Sequence, residues 1–106
     1  MDASILVSDP WELGTECGVG PFIGKVLMER NGAVLIRLSQ PIRFKDRHLS
    51  GVVATPRYGQ EKIRANDPIP MNMLLTTLPE EVTIDFLRTA TGVSAVGTVR
   101  FTNTND

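Results

Sequence analysis

The chain contains few of the side chains that usually carry catalytic or metal chemistry. It has one cysteine, Cys17, and one histidine, His48. A structural zinc site takes four Cys or His ligands, and a catalytic histidine needs both a nucleophile and a group that orients its ring. The sequence places neither set beside these two residues. We therefore expect a protein that has no metal site, no cofactor and no enzymatic activity.

Positive charge is the chemical feature that the sequence does concentrate. The net charge is −1, but residues 30–64 contain eight Lys or Arg side chains against two carboxylates. An uneven distribution of this kind indicates an anionic partner. The candidate partner-binding residues are Arg37, Arg43, Lys45, Arg47, His48, Arg57, Tyr58, Lys62 and Arg64.

Strands must position these residues, because the composition disfavours helices. Thr, Val and Ile number 10, 10 and 7, whereas Ala numbers 6, and β-branched side chains are enriched in strands. The exception lies near the start of the sequence. There, Asp9-Pro10-Trp11-Glu12 combines a helix N-cap residue, a proline in the first turn and a glutamate at the third position. This pattern predicts a short N-terminal helix of one or two turns.

A β-hairpin is the clearest element in the sequence. Residues 22–30 and 33–39 flank Asn31-Gly32, a pair that favours a two-residue turn because both positions take a positive φ. A loop of that length pairs Arg30 with Ala33, and it also fixes the register further along. We expect Met28 to pair with Leu35 and Val26 with Arg37.

Both faces of this predicted hairpin are apolar. One face carries Phe22, Val26, Met28, Ala33 and Leu35, and the other carries Ile23, Leu27, Val34, Ile36 and Leu38. The interior of a single barrel covers only one of them. We expect Trp11 to pack on the hairpin, since burial of an aromatic ring is strongly favourable. We expect a second copy of the chain to cover the rest, which predicts a homodimer.

The remaining strands follow from turn signals and alternation. A second hairpin joins residues 42–45 to residues 48–56, with Phe44 opposite Leu49 and with Arg43, Lys45 and His48 facing outward. Residues 57–66 read as a loop, and residues 71–77 and 93–102 as strands. Residues 82–89 read as a strand, with a helix as the alternative. Six to seven strands predict an all-β fold: a small antiparallel barrel or curled sheet, OB-like or SH3-like, with one short N-terminal helix.

The 106 residues allow a single domain. We expect an N-terminal arm and short helix over 1–21, a barrel core over 22–102 and a frayed tail over 103–106. No apolar stretch approaches the roughly 20 residues of a membrane span, and the first residues lack the apolar core of roughly 7–15 residues that a signal peptide has. Together with the lone cysteine, this predicts a cytoplasmic protein that has no contact with membranes.

The function predicted from these features is that of a non-enzymatic binding module, with another protein as the leading partner. The alternative is a nucleic-acid-binding protein that uses the basic segment 30–64, because Lys and Arg side chains bind phosphates. Base stacking needs exposed aromatic rings. The core pattern leaves Tyr58 for that purpose, and Trp11 if it is not buried.

Overall fold

The computed structural model describes residues 1–14, 18–30, 32–56 and 67–102, apart from the side chain of Glu12. Six strands pair in chain order and close into one antiparallel barrel, with β6 returning to β1. The strands are β1 (Asp2–Asp9), β2 (Phe22–Arg30), β3 (Ala33–Phe44), β4 (Arg47–Pro56), β5 (Pro68–Thr76) and β6 (Val93–Thr102). The predicted small all-β barrel is confirmed. Its strand order is a simple meander, whereas an OB-fold is a five-stranded Greek-key barrel.

The helical parts of the fold differ from the prediction. At the predicted N-terminal helix, the chain forms only a single 3₁₀ turn, Trp11–Leu13. The one α-helix among the described residues is α1 (Phe86–Thr89), which is not N-terminal. It lies within the segment that the alternation predicted as a strand over 82–89, so that strand is wrong. The alternating residue Ile84 is 53% exposed, because the barrel closes without this segment.

The first strand closes the barrel from a region that the sequence analysis treats as an arm. In β1, the side chains of Ala3, Ile5 and Val7 are buried in the core. Their spacing of two residues is the alternation that a strand requires. Strand β1 pairs with β2 on one side and with β6 on the other, where Asp2 lies opposite Thr102.

The β2–β3 hairpin contains a bulge that the sequence does not predict. Arg30 pairs with Ala33 and Met28 with Leu35, as predicted, but Val26 pairs with Ile36 instead of Arg37. Leu27 is the extra residue. A bulge reverses the direction of the side chains on one side of it relative to those on the other. Phe22 and Val26, which precede the bulge, therefore pack against the core. Leu27 is 39% exposed.

The β3–β4 hairpin is tighter than predicted. Phe44 lies opposite Arg47, so the loop is the two residues Lys45-Asp46, and Leu49 lies opposite Ile42. The predicted pairing of Phe44 with Leu49 is therefore wrong. Lys45 has a φ of 54°, which places the first loop residue in the left-handed region that tight hairpin turns use.

An outer layer covers part of the barrel. Leu35 and Val53 pair with one another and are buried, although they do not belong to the core cluster. Residues 77–92, which we call the cover segment, run over this face. Leu78 lies against Gly51, and the amide of Leu78 donates to Ser50 Oγ at 2.9 Å. The apolar face that predicts a homodimer is thus partly covered within one chain.

The interior of the barrel is filled by apolar side chains from every strand and from the 3₁₀ turn. The buried cluster consists of Ala3, Ile5, Val7, Leu13, Val34, Ile36, Leu38, Ile42, Phe44, Leu49, Val52, Ala54, Ile69, Met71, Met73, Leu75, Val93, Ala95, Val99 and Phe101. In β4, Val52 lies inside and Val53 outside, whereas regular alternation from an inward Leu49 predicts the reverse. Within the part of the chain that the structure describes, no helix is long and apolar enough to cross a membrane.

Candidate functional site

Most of the described candidate residues lie near one end of the barrel. Because the strands alternate in direction, β1, β3 and β5 finish at this end, and β2, β4 and β6 begin there. The β3–β4 turn and the 3₁₀ turn both lie at this end. We call it the basic end. The β2–β3 turn and the pair Asp2 and Thr102 lie at the opposite end.

The structure gathers some of the predicted cations at the basic end and separates others from it. Arg43 and His48 lie opposite one another on β3 and β4, and Lys45 and Arg47 belong to the turn region that follows. All four are exposed, which confirms that Arg43 and Lys45 alternate with inward residues. The fifth described candidate, Arg37, is exposed near the middle of the barrel wall.

Another described cation of segment 30–64, Arg30, also lies apart from this group. Arg30 lies at the opposite end, beside the β2–β3 turn. The candidates Arg57, Tyr58, Lys62 and Arg64 lie outside the described residues. Among the described residues of the segment, the β3–β4 hairpin thus holds three cations, Arg43, Lys45 and Arg47, and one carboxylate, Asp46.

The β3–β4 hairpin, which carries these cations, packs against the body of the barrel. On its inner face, Ile42, Phe44 and Leu49 are buried in the core. The carbonyl of His48 accepts a hydrogen bond from Thr77 Oγ1 at 2.6 Å. In addition, Lys45 Nζ lies 5.2 Å from the centre of the Phe44 ring, a distance at which a cation and an aromatic face attract. The cations are thus presented on a fixed element instead of a loose arm.

A cleft of about 540 Å³ opens beside this hairpin. Its walls are the start of β2 and the end of β3: Pro21, Phe22, Ile23, Ser39, Gln40, Pro41, Ile42 and Arg43. The cleft exists because β2 and β3 stop pairing at Gly24 and Leu38. Beyond that pair, residues 39–41 have a ladder partner on neither β2 nor β4. A volume of this size is within the range of ligand-binding pockets.

Trp11 lies at the same end of the barrel, in the 3₁₀ turn that follows β1. Its ring is 57% exposed, so the prediction that it packs on the β2–β3 hairpin is wrong. The 3₁₀ turn contacts β6 instead, and Leu13 is the residue of this turn that fills the core. The capping pattern predicts a turn correctly but does not specify which of its side chains points inward.

Backbone strain marks the same end of the molecule. Trp11 has a φ of 36° and Lys45 a φ of 54°, and they are the two non-glycine residues with positive φ in the described ranges. This region is unfavourable for side chains other than Gly, Asn and Asp. Strained residues tend to cluster at functional sites. Here, both strained residues belong to turns at the basic end.

The side chains at this end can form ion pairs, hydrogen bonds and apolar contacts. This end offers cationic and imidazole side chains, the exposed amide Gln40 and apolar walls. Across the described residues, no group of three His, Cys, Asp or Glu side chains is arranged to hold a metal ion. Cys17 lies outside the described residues.

Comparison of the chain with protein-family models, with curated proteins and with solved structures finds no match.

Proposed function

We propose that this chain is a non-enzymatic binding module, that its partner is another protein, and that the basic end is its binding face. The observation that carries this proposal is the combination found there: an exposed, strained Trp11, a cleft with apolar walls and the cations of the β3–β4 hairpin. Trp and Arg side chains most often dominate the binding energy of protein interfaces. A partner with acidic and apolar side chains fits this surface.

The alternative partner is a nucleic acid, and the arrangement of cations favours it less. Phosphate binding strengthens with the number of cations that follow the backbone, and Arg30 and Arg88 lie away from the basic end. Trp11 is the one exposed aromatic residue in the described part of the chain, whereas single-strand binding uses successive stacking rings.

We also propose a cytoplasmic location, because the single cysteine, Cys17, cannot form a disulfide within the chain and disulfides are typical of proteins in oxidising compartments.

Site-specific crosslinking tests the proposed function. Trp11 is replaced by p-benzoylphenylalanine, an aromatic photo-crosslinker, and the full chain is irradiated in the cells that produce it. We expect protein adducts that disappear when Arg43→Glu and Arg47→Glu are added. The matched control adds Arg30→Glu and Arg88→Glu, which change the net charge equally on exposed residues near the opposite end. This control should keep the adducts.

The position of the crosslinker supplies a second control. Ile84 is 53% exposed and lines a cleft with Arg30 and Ala33 near the opposite end, so a crosslinker at that position should give different products. Adducts at position 11 that are removed by nuclease would establish the nucleic-acid alternative instead. Adducts that are identical at positions 11 and 84 would show that the basic end is not a binding face.

A further inference from the structure

We propose that the cleft between β2 and β3 binds an extended segment of the partner in which acidic and apolar side chains alternate. This inference rests on the proposed function and specifies the chemistry that the basic end recognises. Three properties of the cleft support it: the backbone that it exposes, the apolar walls and the positions of the cations along β3.

The first property is an interruption in the hydrogen-bonded wall. Ladder pairing between β2 and β3 ends at Gly24 and Leu38, and Ser39, Gln40 and Pro41 have no Cα partner on either neighbouring strand. All three are exposed. Pro41 has no amide hydrogen, but Ser39 and Gln40 carry both donors and acceptors. Strand backbone without a partner is a template for an added extended chain.

The second property is the apolar lining. Pro21, Ile23 and Pro41 line the cleft together with Phe22 and Ile42. Ile23 is 48% exposed, so this apolar side chain is available for contact. Successive side chains of an extended segment point to opposite sides. In this lining, Phe22 and Ile42 face the inner side of the wall, whereas Ile23 faces outward, as Arg43 does. Every second side chain of the segment would therefore face Phe22 and Ile42, and those positions should be apolar.

The third property is the spacing of the cations. Arg43 lines the cleft and projects from the outer face of β3, because Ile42 and Phe44 on either side of it are buried. Lys45 is exposed in the loop that follows β3. A segment that runs beside β3 has the same period of two residues. Its outward positions would meet the cations, and carboxylates there form charge-assisted hydrogen bonds with Arg. A segment in which acidic and apolar residues alternate would therefore contact both the cations and the apolar lining.

Selection from a peptide library tests this inference with the full chain. Random twelve-residue peptides displayed on phage are panned against the protein, and the most enriched peptide is synthesised and its affinity measured by fluorescence anisotropy. We expect enriched peptides in which Asp or Glu alternates with apolar residues. Methylation of every second backbone nitrogen should weaken binding at least tenfold, because it removes the donors that would pair with Ser39 and Gln40.

Matched variants assign the contacts. Arg43→Glu and Ile23→Ser should each weaken the peptide at least tenfold. Arg88→Glu and Ile84→Ser change the same residue types on exposed positions near the opposite end, and they should leave the affinity unchanged. Circular dichroism and urea unfolding of all four variants confirm that each is folded.

Three results would overturn the inference: no enriched peptide, enriched peptides without acidic residues, or equal binding of the methylated peptide. None of them would remove the proposed function if the adducts at position 11 persist. In that case, the basic end binds a folded protein surface and not an extended segment. Loss of those adducts would instead remove the proposed function itself.

Discussion

Two turn residues of the basic end adopt backbone angles that do not suit their side chains. Lys45 occupies the first position of the β3–β4 loop with a φ of 54°, and Trp11 opens the 3₁₀ turn with a φ of 36°. A residue that tolerates the left-handed region would relieve this strain. Stability and recognition therefore make opposite demands on these positions.

The substitution Lys45→Asn should stabilise the fold and weaken binding. Asn tolerates positive φ, so we expect the free energy of unfolding to rise by about 0.5–1 kcal/mol. The loss of one cation should at the same time weaken the selected peptide. Urea unfolding and fluorescence anisotropy measure the two effects. The control Asp46→Asn changes the neighbouring loop residue, which lacks a positive φ, and a similar stabilisation there would contradict the explanation.

Trp11 and Leu13 should respond in opposite ways to truncation. Trp11 is 57% exposed, so Trp11→Ala should change the free energy of unfolding by no more than about 0.5 kcal/mol. Leu13 is fully buried, and Leu13→Ala should cost about 2–5 kcal/mol. Chemical denaturation measures both. A native tryptophan emission typical of a buried ring would contradict this assignment of Trp11.

At the scale of elements, the cover segment is attached to the barrel through a small number of contacts. Thr77 and Leu78 bond to β4, and Thr76 Oγ1 donates to the carbonyl of Thr91 at 2.8 Å, which joins the two ends of the segment. The side chain of Leu78 occupies the space above Gly51 that a Cβ atom would need. Glycine at position 51 is therefore required by a neighbour and not by a turn.

The pair Gly51 and Leu78 gives a prediction about coupling. In Gly51→Ala, the new Cβ would lie 2.5 Å from Leu78 Cγ, so we expect a cost of about 1–3 kcal/mol and faster hydrogen exchange in residues 77–92. The double variant Gly51→Ala with Leu78→Ala should cost less than the sum of the two single variants, because the clash is absent. Additive costs would show that these side chains do not meet.

The bulge at Leu27 gives a test of side-chain direction on β2. Leu27 is 39% exposed, whereas Val26 packs against the core. Leu27→Asp should therefore change the free energy of unfolding by about 0.5 kcal/mol or less, and Val26→Asp should destabilise the fold strongly because it buries a carboxylate without a partner. Thermal unfolding of both variants measures this. The reverse order would place the bulge elsewhere.

The elements that the sequence predicts well are those with local signals. The sequence pair Asn31-Gly32 correctly predicts where β2 ends and β3 begins, and the alternation of Val99 and Phe101 marks β6. In β1, the alternation of Ala3, Ile5 and Val7 was equally available, and a test for strands in the first ten residues would find it. The bulge at Leu27 has no such signal, because it depends on how two strands pack over a shared core.

The candidate site likewise combines features that the sequence predicts with features that it does not. The outward direction of Arg43 and Lys45 follows from alternation with Ile42 and Phe44, so the cations are predictable. The cleft is not predictable, because it forms where the pairing of β2 with β3 ends and the wall stays open. The exposure of Trp11 is also hidden, since the choice between Trp11 and Leu13 as the buried residue depends on their position above β6.

At the scale of the whole molecule, the homodimer stays a prediction. Much of the apolar hairpin face from which it was predicted is buried within the single chain. Phe22 and Val26 pack against the core, and Leu35 is fully buried within the single chain. The large apolar side chains that remain exposed on the described strands lie on the adjacent strands β1 and β2: Leu6, Ile23 and Leu27. Sedimentation at micromolar concentration decides the matter: twice 11.6 kDa supports a dimer, and 11.6 kDa contradicts it.

The pairing of Asp2 with Thr102 has a practical consequence for avidity. These residues lie side by side at the end of the barrel away from the basic end, so a tether fused beside either of them leaves on the side away from the cleft. Two barrels joined there would each keep an accessible basic end. A target that carries two acceptor segments would then be held by both, and the effective concentration of the second site would be set by the length of the tether.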